Sequence, residues 1–157
     1  MLTAIVRPTR RSILLSSLAL MCTGPAALAD VAFDLRSYKG KVVVVDFWAS
    51  WCVPCRRSFP WLNDMYDRYA GDGLVILAVN LDEDRGAADR FLQDYPPRFT
   101  VIFGEGEALA KDFDVVAMPS SYLVGRDGKI LHRHLGFLVK QQDEYEAAIA
   151  EALGDKE

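Results

Sequence analysis

Apolar and polar positions follow one another along the chain in a pattern that predicts buried strands separated by amphipathic helices. Four consecutive valines open an apolar run from Val42 to Trp48, interrupted only by Asp46, which is typical of a strand covered on both faces. Leu74 to Leu81 predicts a second buried strand, and Phe99 to Phe103 predicts a third. The strands and the helices between them indicate an α/β fold.

Helical periodicity fills the intervals between the strands. From Pro54 to about Tyr69 apolar side chains recur on one helical face, and Pro60 is expected to kink this helix. Two shorter helices are predicted over Asp84 to Tyr95 and over Glu107 to Phe113. A closing helix is predicted over Gln142 to Leu153, with an inner face formed by Tyr145, Ile149, Ala152 and Leu153.

The remaining apolar runs predict a β-hairpin near the end of the chain. Ser120 to Val124 and Lys129 to Leu135 are joined by Arg126-Asp127-Gly128, a turn signal between two apolar segments. Ahead of the first strand, the alternation over residues 33–38 predicts a short strand or an extended lead-in.

The first 29 residues predict a cleavable export signal. A basic segment with three arginines precedes the apolar run Ser12 to Met21, and Ala27-Leu28-Ala29 supplies the small residues before a cleavage position ahead of Asp30. The apolar stretch falls short of the roughly 20 residues that a membrane span needs, although an uncleaved anchor and the route of export stay open. Residues 30–157 are expected to form one domain in the periplasm.

Removal of the signal changes the charge and the cysteine count. Three of the 18 basic residues lie in the signal, so that 15 basic residues face 22 acidic ones and the net charge becomes −7. An acidic chain without a basic run argues against a nucleic acid or an anionic membrane as partner. Cys22 is also lost, which leaves Cys52 and Cys55 as a closely spaced pair that is expected to react rather than to staple the fold.

The two remaining cysteines follow the first buried strand and open the first predicted helix. The N–H groups and the dipole of a first helical turn favour a thiolate at Cys52, and Cys55 can then attack a mixed disulfide formed there. A structural disulfide or half of a zinc site is the alternative. Zinc would need two further ligands, and the only histidines, His132 and His134, are interpreted as surface residues that share one face of a strand.

Between Lys39 and Leu153 these motifs resemble the thioredoxin superfamily, and specifically its exported TlpA/ResA-like branch. The resemblance rests on the block from Asp46 to Arg56, on Pro60 five residues after the second cysteine, and on Met118-Pro119 before an apolar strand. It implies a thioredoxin-like fold, with a central mixed β-sheet flanked by helices and the extra helix and strand of the TlpA-like branch.

The resemblance also implies roles for individual residues. Pro119 would be in cis and packed against the cysteine pair, exposing the backbone of Met118 to an extended substrate. Asp46 would shuttle a proton for Cys55, and its burial should raise its pKa. Many proteins of this branch carry a glutamate where this chain has Ser58, so proton handling is expected to rest on Asp46. The residues expected to contact substrate are Trp51, Val53, Pro54, Met118 and Pro119.

The expected function is dithiol–disulfide exchange that reduces disulfides of exported proteins such as apocytochrome c. The chain has no nucleotide-binding fingerprint, and no metal or bound cofactor is expected beyond the Cys52–Cys55 disulfide itself. A membrane electron donor of the DsbD/CcdA type would therefore recharge the protein, which is expected to be a monomer. An exported oxidase of the DsbA type and a copper- or client-binding assembly factor on the same fold are the alternatives.

Overall fold

Strand β1 (Val42–Trp48) is the centre of a five-stranded mixed sheet in the computed structural model, which describes residues 34–154. The other strands are β2 (Leu74–Asn80), β3 (Thr100–Ile102), β4 (Ser120–Val124) and β5 (Ile130–Leu135). The helices are α1 (Cys55–Tyr69), α2 (Arg85–Asp94), α3 (Gly106–Asp112) and α4 (Gln142–Gly154). The predicted export signal and Phe33 lie outside the described residues.

The strands are ordered β3-β2-β1-β4-β5. Strands β1, β2 and β3 run parallel to one another, whereas β4 is antiparallel to both β1 and β5. This is the mixed sheet that the resemblance implied. Helix α2 and strand β3 lie between β2 and α3 along the chain, and they supply the extra helix and strand expected of the TlpA-like branch.

Every residue of β1 is buried, because each face of the strand packs into its own apolar cluster. Val42, Val44 and Trp48 pack with residues of α1, α2 and α4, whereas the alternate residues pack with α3. Trp48 lies between Phe59 of α1 and Phe91 of α2, with ring centroids 4.9 and 4.8 Å away. A continuous apolar run is required in a strand that is covered on both sides.

The lead-in to β1 differs from its prediction. Leu35–Tyr38 forms a 3₁₀ turn, because the side chain of Asp34 accepts a hydrogen bond of 2.9 Å from the backbone N–H of Arg36. Such a local bond offers the backbone an alternative to pairing in a sheet. The predicted helices and the other strands are confirmed to within one or two residues at their ends. Among residues 34–154, no helix is long and apolar enough to cross a membrane.

Candidate active site

Cys52 and Cys55 lie where β1 gives way to α1, and a disulfide joins their sulfur atoms at 2.08 Å. Pro54 precedes the helix at its N-cap position, and Cys55 is its first residue. The backbone N–H of Cys55 donates a hydrogen bond of 3.3 Å to Cys52 Sγ. A helix N-terminus and a donated amide hydrogen bond both stabilise negative charge on this sulfur once the disulfide is reduced.

The cysteine pair lies beneath an exposed apolar rim. Cys52 is 3% exposed and Cys55 is fully buried, whereas Trp51 and Val53 on either side of Cys52 are 64% and 59% exposed. Because both sulfurs are buried, only a group that fits between the Trp51 and Val53 side chains can reach Cys52. The exposed aromatic and aliphatic surface is of the kind that contacts another protein.

The loop that leads to Cys52 is held by a carboxylate from a neighbouring loop. Asp82 follows β2 and accepts two hydrogen bonds from Ser50, one of 2.8 Å from its backbone N–H and one of 2.6 Å from its hydroxyl. Asn80 donates a further bond of 2.7 Å to the same carboxylate. The position of Ser50, two residues before Cys52, is thus fixed by the end of β2.

The cis-proline loop enters the sheet beside the cysteine loop. The peptide bond between Met118 and Pro119 is cis, which confirms the expectation, and Pro119 directly precedes β4. Ser120 is the register partner of Phe47, one residue from the end of β1. Pro119 therefore lies beside the C-terminal end of β1, from which the chain continues to Cys52. Met118 is half-buried and packs against both apolar clusters.

Asp46 is a fully buried carboxyl on the face of β1 that packs against α1. The hydroxyl of Ser121 donates a hydrogen bond to its Oδ1. Burial disfavours the charged form and raises the pKa of Asp46 to about 7, although the Ser121 hydroxyl acts in the opposite direction. A carboxyl that titrates near neutral pH can both take up and release a proton under physiological conditions.

A narrow cavity of about 20 Å³ connects Asp46 with residues of α1, α4 and β5. Its polar lining comes from Asp46, Ser58, Ser121, His134 and Tyr145. Ser58 lies one turn along α1 from Cys55, and its hydroxyl donates to the carbonyl oxygen of Cys55 at 3.2 Å. The cavity thus places Asp46 beside the turn of helix that carries Cys55.

The structure brings most of the predicted site residues to one end of the sheet and adds three others. Asp82 and Ser121 carried no signal in the sequence, and His134 was considered there only as a metal ligand, because each makes its contacts between strands or loops far apart in the chain. His132 is exposed, whereas His134 is half-buried, because the ring of Tyr145 packs against it with centroids 4.1 Å apart.

His132 and His134 share one face of β5, as expected, with ring centroids 6.2 Å apart. Within residues 34–154, no three His, Cys, Asp or Glu side chains are grouped so that they could hold a metal ion.

A mixed sheet whose central strand leads into a Cys-x-x-Cys disulfide at the start of a helix, beside a cis-proline, defines a protein of the thioredoxin fold. The chain belongs to the redoxin family, whose model matches residues 19–149.

Curated relatives include ResA proteins, which are named thiol-disulfide oxidoreductases. ResA of Bacillus thuringiensis subsp. konkukian is 34% identical over 113 residues, which are 71% of this chain and 65% of that protein. ResA of Bacillus subtilis is 32% identical over 98 residues, which are 62% of this chain and 55% of that protein. The chain thus spans less than two thirds of the length of these relatives.

Solved structures with the same fold include two bacterial proteins. A protein of Chlorobium tepidum, assigned as the thiol:disulfide interchange protein DsbE, is 44% identical with a TM-score of 0.74, over 76% of this chain and 85% of that one. StoA from Bacillus subtilis is 26% identical with a TM-score of 0.59, over 69% of this chain and 84% of that one.

Proposed function

We propose that this protein is a thiol–disulfide oxidoreductase that reduces disulfide bonds of other exported proteins. The observation that carries the proposal is the Cys52–Cys55 disulfide at the N-terminus of α1, with the Cys55 amide donating to Cys52 Sγ. The thiol-disulfide oxidoreductase name of the ResA relatives supports the same reaction.

The reaction is an exchange of two electrons between a dithiol and a disulfide. The Cys52 thiolate attacks one sulfur of the substrate disulfide, which forms a mixed disulfide and releases the other substrate sulfur as a thiolate. Cys55 then loses its proton and attacks Cys52 Sγ. This step re-forms the Cys52–Cys55 bond and releases the second substrate sulfur, so that the substrate gains the two electrons that the dithiol loses.

Asp46 is the group that takes the proton of Cys55. It lines the same cavity as Ser58, one turn along α1 from Cys55. Its pKa of about 7 allows the unprotonated form to be populated when Cys55 must be deprotonated.

The substrate is a protein segment that lies across an apolar surface. Trp51 and Val53 are the exposed residues beside Cys52, and Pro54, Met118 and Pro119 complete the predicted contact surface. A segment in extended conformation can pair with backbone groups beside the cis-proline while its cystine reaches Cys52. Apocytochrome c is the client that the TlpA/ResA-like resemblance suggests.

The protein works as a monomer in the periplasm and receives its electrons from a membrane donor of the DsbD/CcdA type. The sequence has no nucleotide-binding fingerprint that would let it take electrons from NADPH directly. The predicted export signal places the dithiol in an oxidising compartment, where it stays reduced only if a partner supplies electrons. Its acidic charge disfavours nucleic acid as a partner.

Trapping of the mixed disulfide tests the reaction. A Cys55→Ser variant keeps the attacking sulfur but cannot resolve the intermediate, so it should accumulate covalent complexes with exported proteins that dithiothreitol releases. Cys52→Ser, the matched control, should trap nothing. A Cys55→Ser variant that forms no complex would contradict the proposal and would favour an assembly factor that only binds its client.

The reduction potential of the Cys52–Cys55 couple tests the direction of electron flow. Thioredoxin-like reductants lie near about −270 mV and DsbA-like oxidants near about −120 mV. Equilibration with glutathione should give a value close to the first of these. A value close to about −120 mV would identify an oxidase. It would overturn the reductase assignment, although the dithiol–disulfide exchange reaction would still stand.

A further inference from the structure

Three polar side chains lie side by side across the sheet, on the face that packs against α1 and α4. Asp46 of β1 is the register partner of Ser121 of β4, and Ser121 is in turn the partner of His134 of β5. Opposed residues on neighbouring strands project to the same face with Cβ atoms about 5 Å apart. A carboxyl, a hydroxyl and an imidazole therefore form one row that runs from the centre of the sheet to its edge strand.

The carboxylate of Asp46 is only half satisfied by the protein. Its Oδ1 accepts the hydrogen bond from Ser121, whereas Oδ2 is buried and receives no hydrogen bond from any residue in the described part of the chain. A buried polar atom without a protein partner is commonly bonded to an ordered water. Oδ2 is the acceptor that such a water would find on this side chain.

The cavity beside this carboxylate has room for that water. Its volume of about 20 Å³ exceeds the roughly 10–15 Å³ that a single water needs. Its lining is mostly apolar, and Asp46, Ser58, Ser121 and His134 are the polar residues along it that could bond a water. The lining of the cavity includes a fully buried carboxyl, Asp46, and a half-buried imidazole, His134.

His134 has surroundings that keep its ring neutral and in contact with the cavity. Burial lowers the pKa of His134, the nearby His132 lowers it further, and Glu144 of α4 acts in the opposite direction. Tyr145 of α4 packs against its ring, and Ser121 faces it from β4. A neutral imidazole offers one acceptor nitrogen and one donor, so it can pass a proton on.

We propose that Asp46 exchanges its proton with solvent through His134, by way of a single water in the cavity. This inference rests on the proposed function, because it concerns the proton that Asp46 takes from Cys55. His134 acts through Asp46 and does not touch the sulfur atoms. Its place at the edge of the sheet makes it the last member of the row before bulk water.

The proton balance closes without another reactant. When Cys55 attacks the mixed disulfide, its proton passes to Asp46. The cavity water gives a proton to His134 while it receives the one on Asp46, and His134 then releases its proton to solvent. No electrons move in these transfers, and Asp46 is returned to its charged form for the next cycle.

Rapid mixing of the reduced protein with 5,5′-dithiobis(2-nitrobenzoate) separates the two chemical steps. Attack by Cys52 releases one coloured thiolate, and resolution by Cys55 releases the second. At pH 6, where Asp46 is mostly protonated and must first release its proton before it can take the one of Cys55, a His134→Gln variant, which cannot titrate, should keep the first phase and slow the second about tenfold in dilute buffer. Added imidazole should restore the second phase. His132→Gln, the exposed neighbour on the same face, should behave like the unaltered protein.

Two results would overturn the role of His134. One is a second phase that the His134→Gln substitution leaves unchanged, and the other is a slowed phase that imidazole does not recover, which would indicate a purely structural effect. An Asp46→Asn variant separates this inference from the proposed function. A slow second phase in Asp46→Asn together with a normal one in His134→Gln would remove His134 alone, whereas the absence of any second phase in the unaltered protein would remove the exchange mechanism.

A measurement without a His134 variant tests the same link. In the oxidised protein, the ring resonances of His134 should show, besides their own titration, a second inflection at about pH 7 where Asp46 titrates. This inflection should be lost in Asp46→Asn. A single inflection that Asp46→Asn does not change would show that the two groups are not connected through the cavity.

Discussion

Asp46 carries a charge that the interior of the sheet disfavours, and this makes its protonation part of the stability of the fold. Its ordinary pKa of 3.8 is raised by burial to about 7 in the folded protein. Between these two values the folded state binds a proton that the unfolded state has released, so the free energy of unfolding falls as the pH rises from about 4 to about 7. Above that range both states carry the charge, and the destabilisation is complete.

An Asp46→Asn variant should remove this dependence, because the amide cannot ionise. At pH 8 we expect the oxidised variant to be more stable than the unaltered protein by up to about 4 kcal/mol, the equivalent of a shift of about three pKa units. Near pH 4 the difference should vanish. Urea unfolding at a series of pH values measures it. Glu151→Gln, on the exposed side of α4, controls for the loss of one negative charge. Equal stability of Asp46→Asn and the unaltered protein at pH 8 would contradict the prediction.

The two cysteines of the disulfide could be found from the sequence because their signal is local. Cys52 lies in the turn after β1 and Cys55 at the start of α1, so residues that are close along the chain are also close in the structure, and Asp46 lies in the strand just before them. His134 could not be found in this way. Its nearness to Asp46 depends on two strand pairings, and a polar residue on an edge strand has the same pattern whether it faces water or a cavity.

At the scale of elements, the loop between β1 and α1 is positioned by a network that the sequence does not indicate. Asp82 accepts hydrogen bonds from the backbone and the hydroxyl of Ser50 and from the side chain of Asn80. An Asp82→Ala variant should therefore lower the free energy of unfolding by about 2–3 kcal/mol, because it leaves buried or half-buried donors without an acceptor. It should also speed hydrogen exchange at the Ser50 amide.

Ser50→Ala is the matched control for this network. It removes the 2.6 Å hydroxyl bond but keeps the backbone bond to Asp82, so we expect a loss of only about 1 kcal/mol and little change in exchange of the amide. Denaturant unfolding and amide exchange by NMR give both quantities. Equal effects of the two substitutions would mean that Asp82 does not hold the loop through its backbone.

The helices and strands themselves followed from periodicity, because buried strands need continuous apolar runs and amphipathic helices need a repeated apolar face. Their order in the sheet did not follow from it. Strand β3 is short and lies at one edge, and β5 lies at the other with five of its six residues exposed, yet their apolar runs resemble those of buried strands. The alternation over residues 33–38 did not predict the 3₁₀ turn at Leu35–Tyr38, because the hydrogen bond that the Arg36 N–H donates to the Asp34 side chain favours a turn there.

At the scale of the whole molecule, Arg126 connects the beginning and the end of the described chain. It lies in the turn between β4 and β5, where its side chain donates to the carbonyl oxygen of Gly40 at 2.7 Å and to that of Leu153 at 3.0 Å. Its own carbonyl accepts a bond of 2.9 Å from the Gly40 N–H. Leu153 belongs to the last turn of α4, where carbonyl groups have no partner within the helix.

Replacing Arg126 should thus loosen three parts of the fold together. An Arg126→Ala variant keeps the backbone bond to Gly40 but loses both side-chain bonds, and we expect the free energy of unfolding to fall by about 2 kcal/mol. In Arg126→Lys, a single ammonium group replaces the planar guanidinium and cannot donate to both carbonyl groups in the same way. This variant should therefore recover only part of the lost stability. Exchange of amides in the last turn of α4 should rise in both.

Arg36→Ala, whose side chain is 91% exposed in a pair with Asp34, should leave stability unchanged. If Arg126→Ala unfolds at the same denaturant concentration as Arg36→Ala, the hairpin turn does not hold the two ends, and the close packing of α4 against the sheet must come from its apolar face alone.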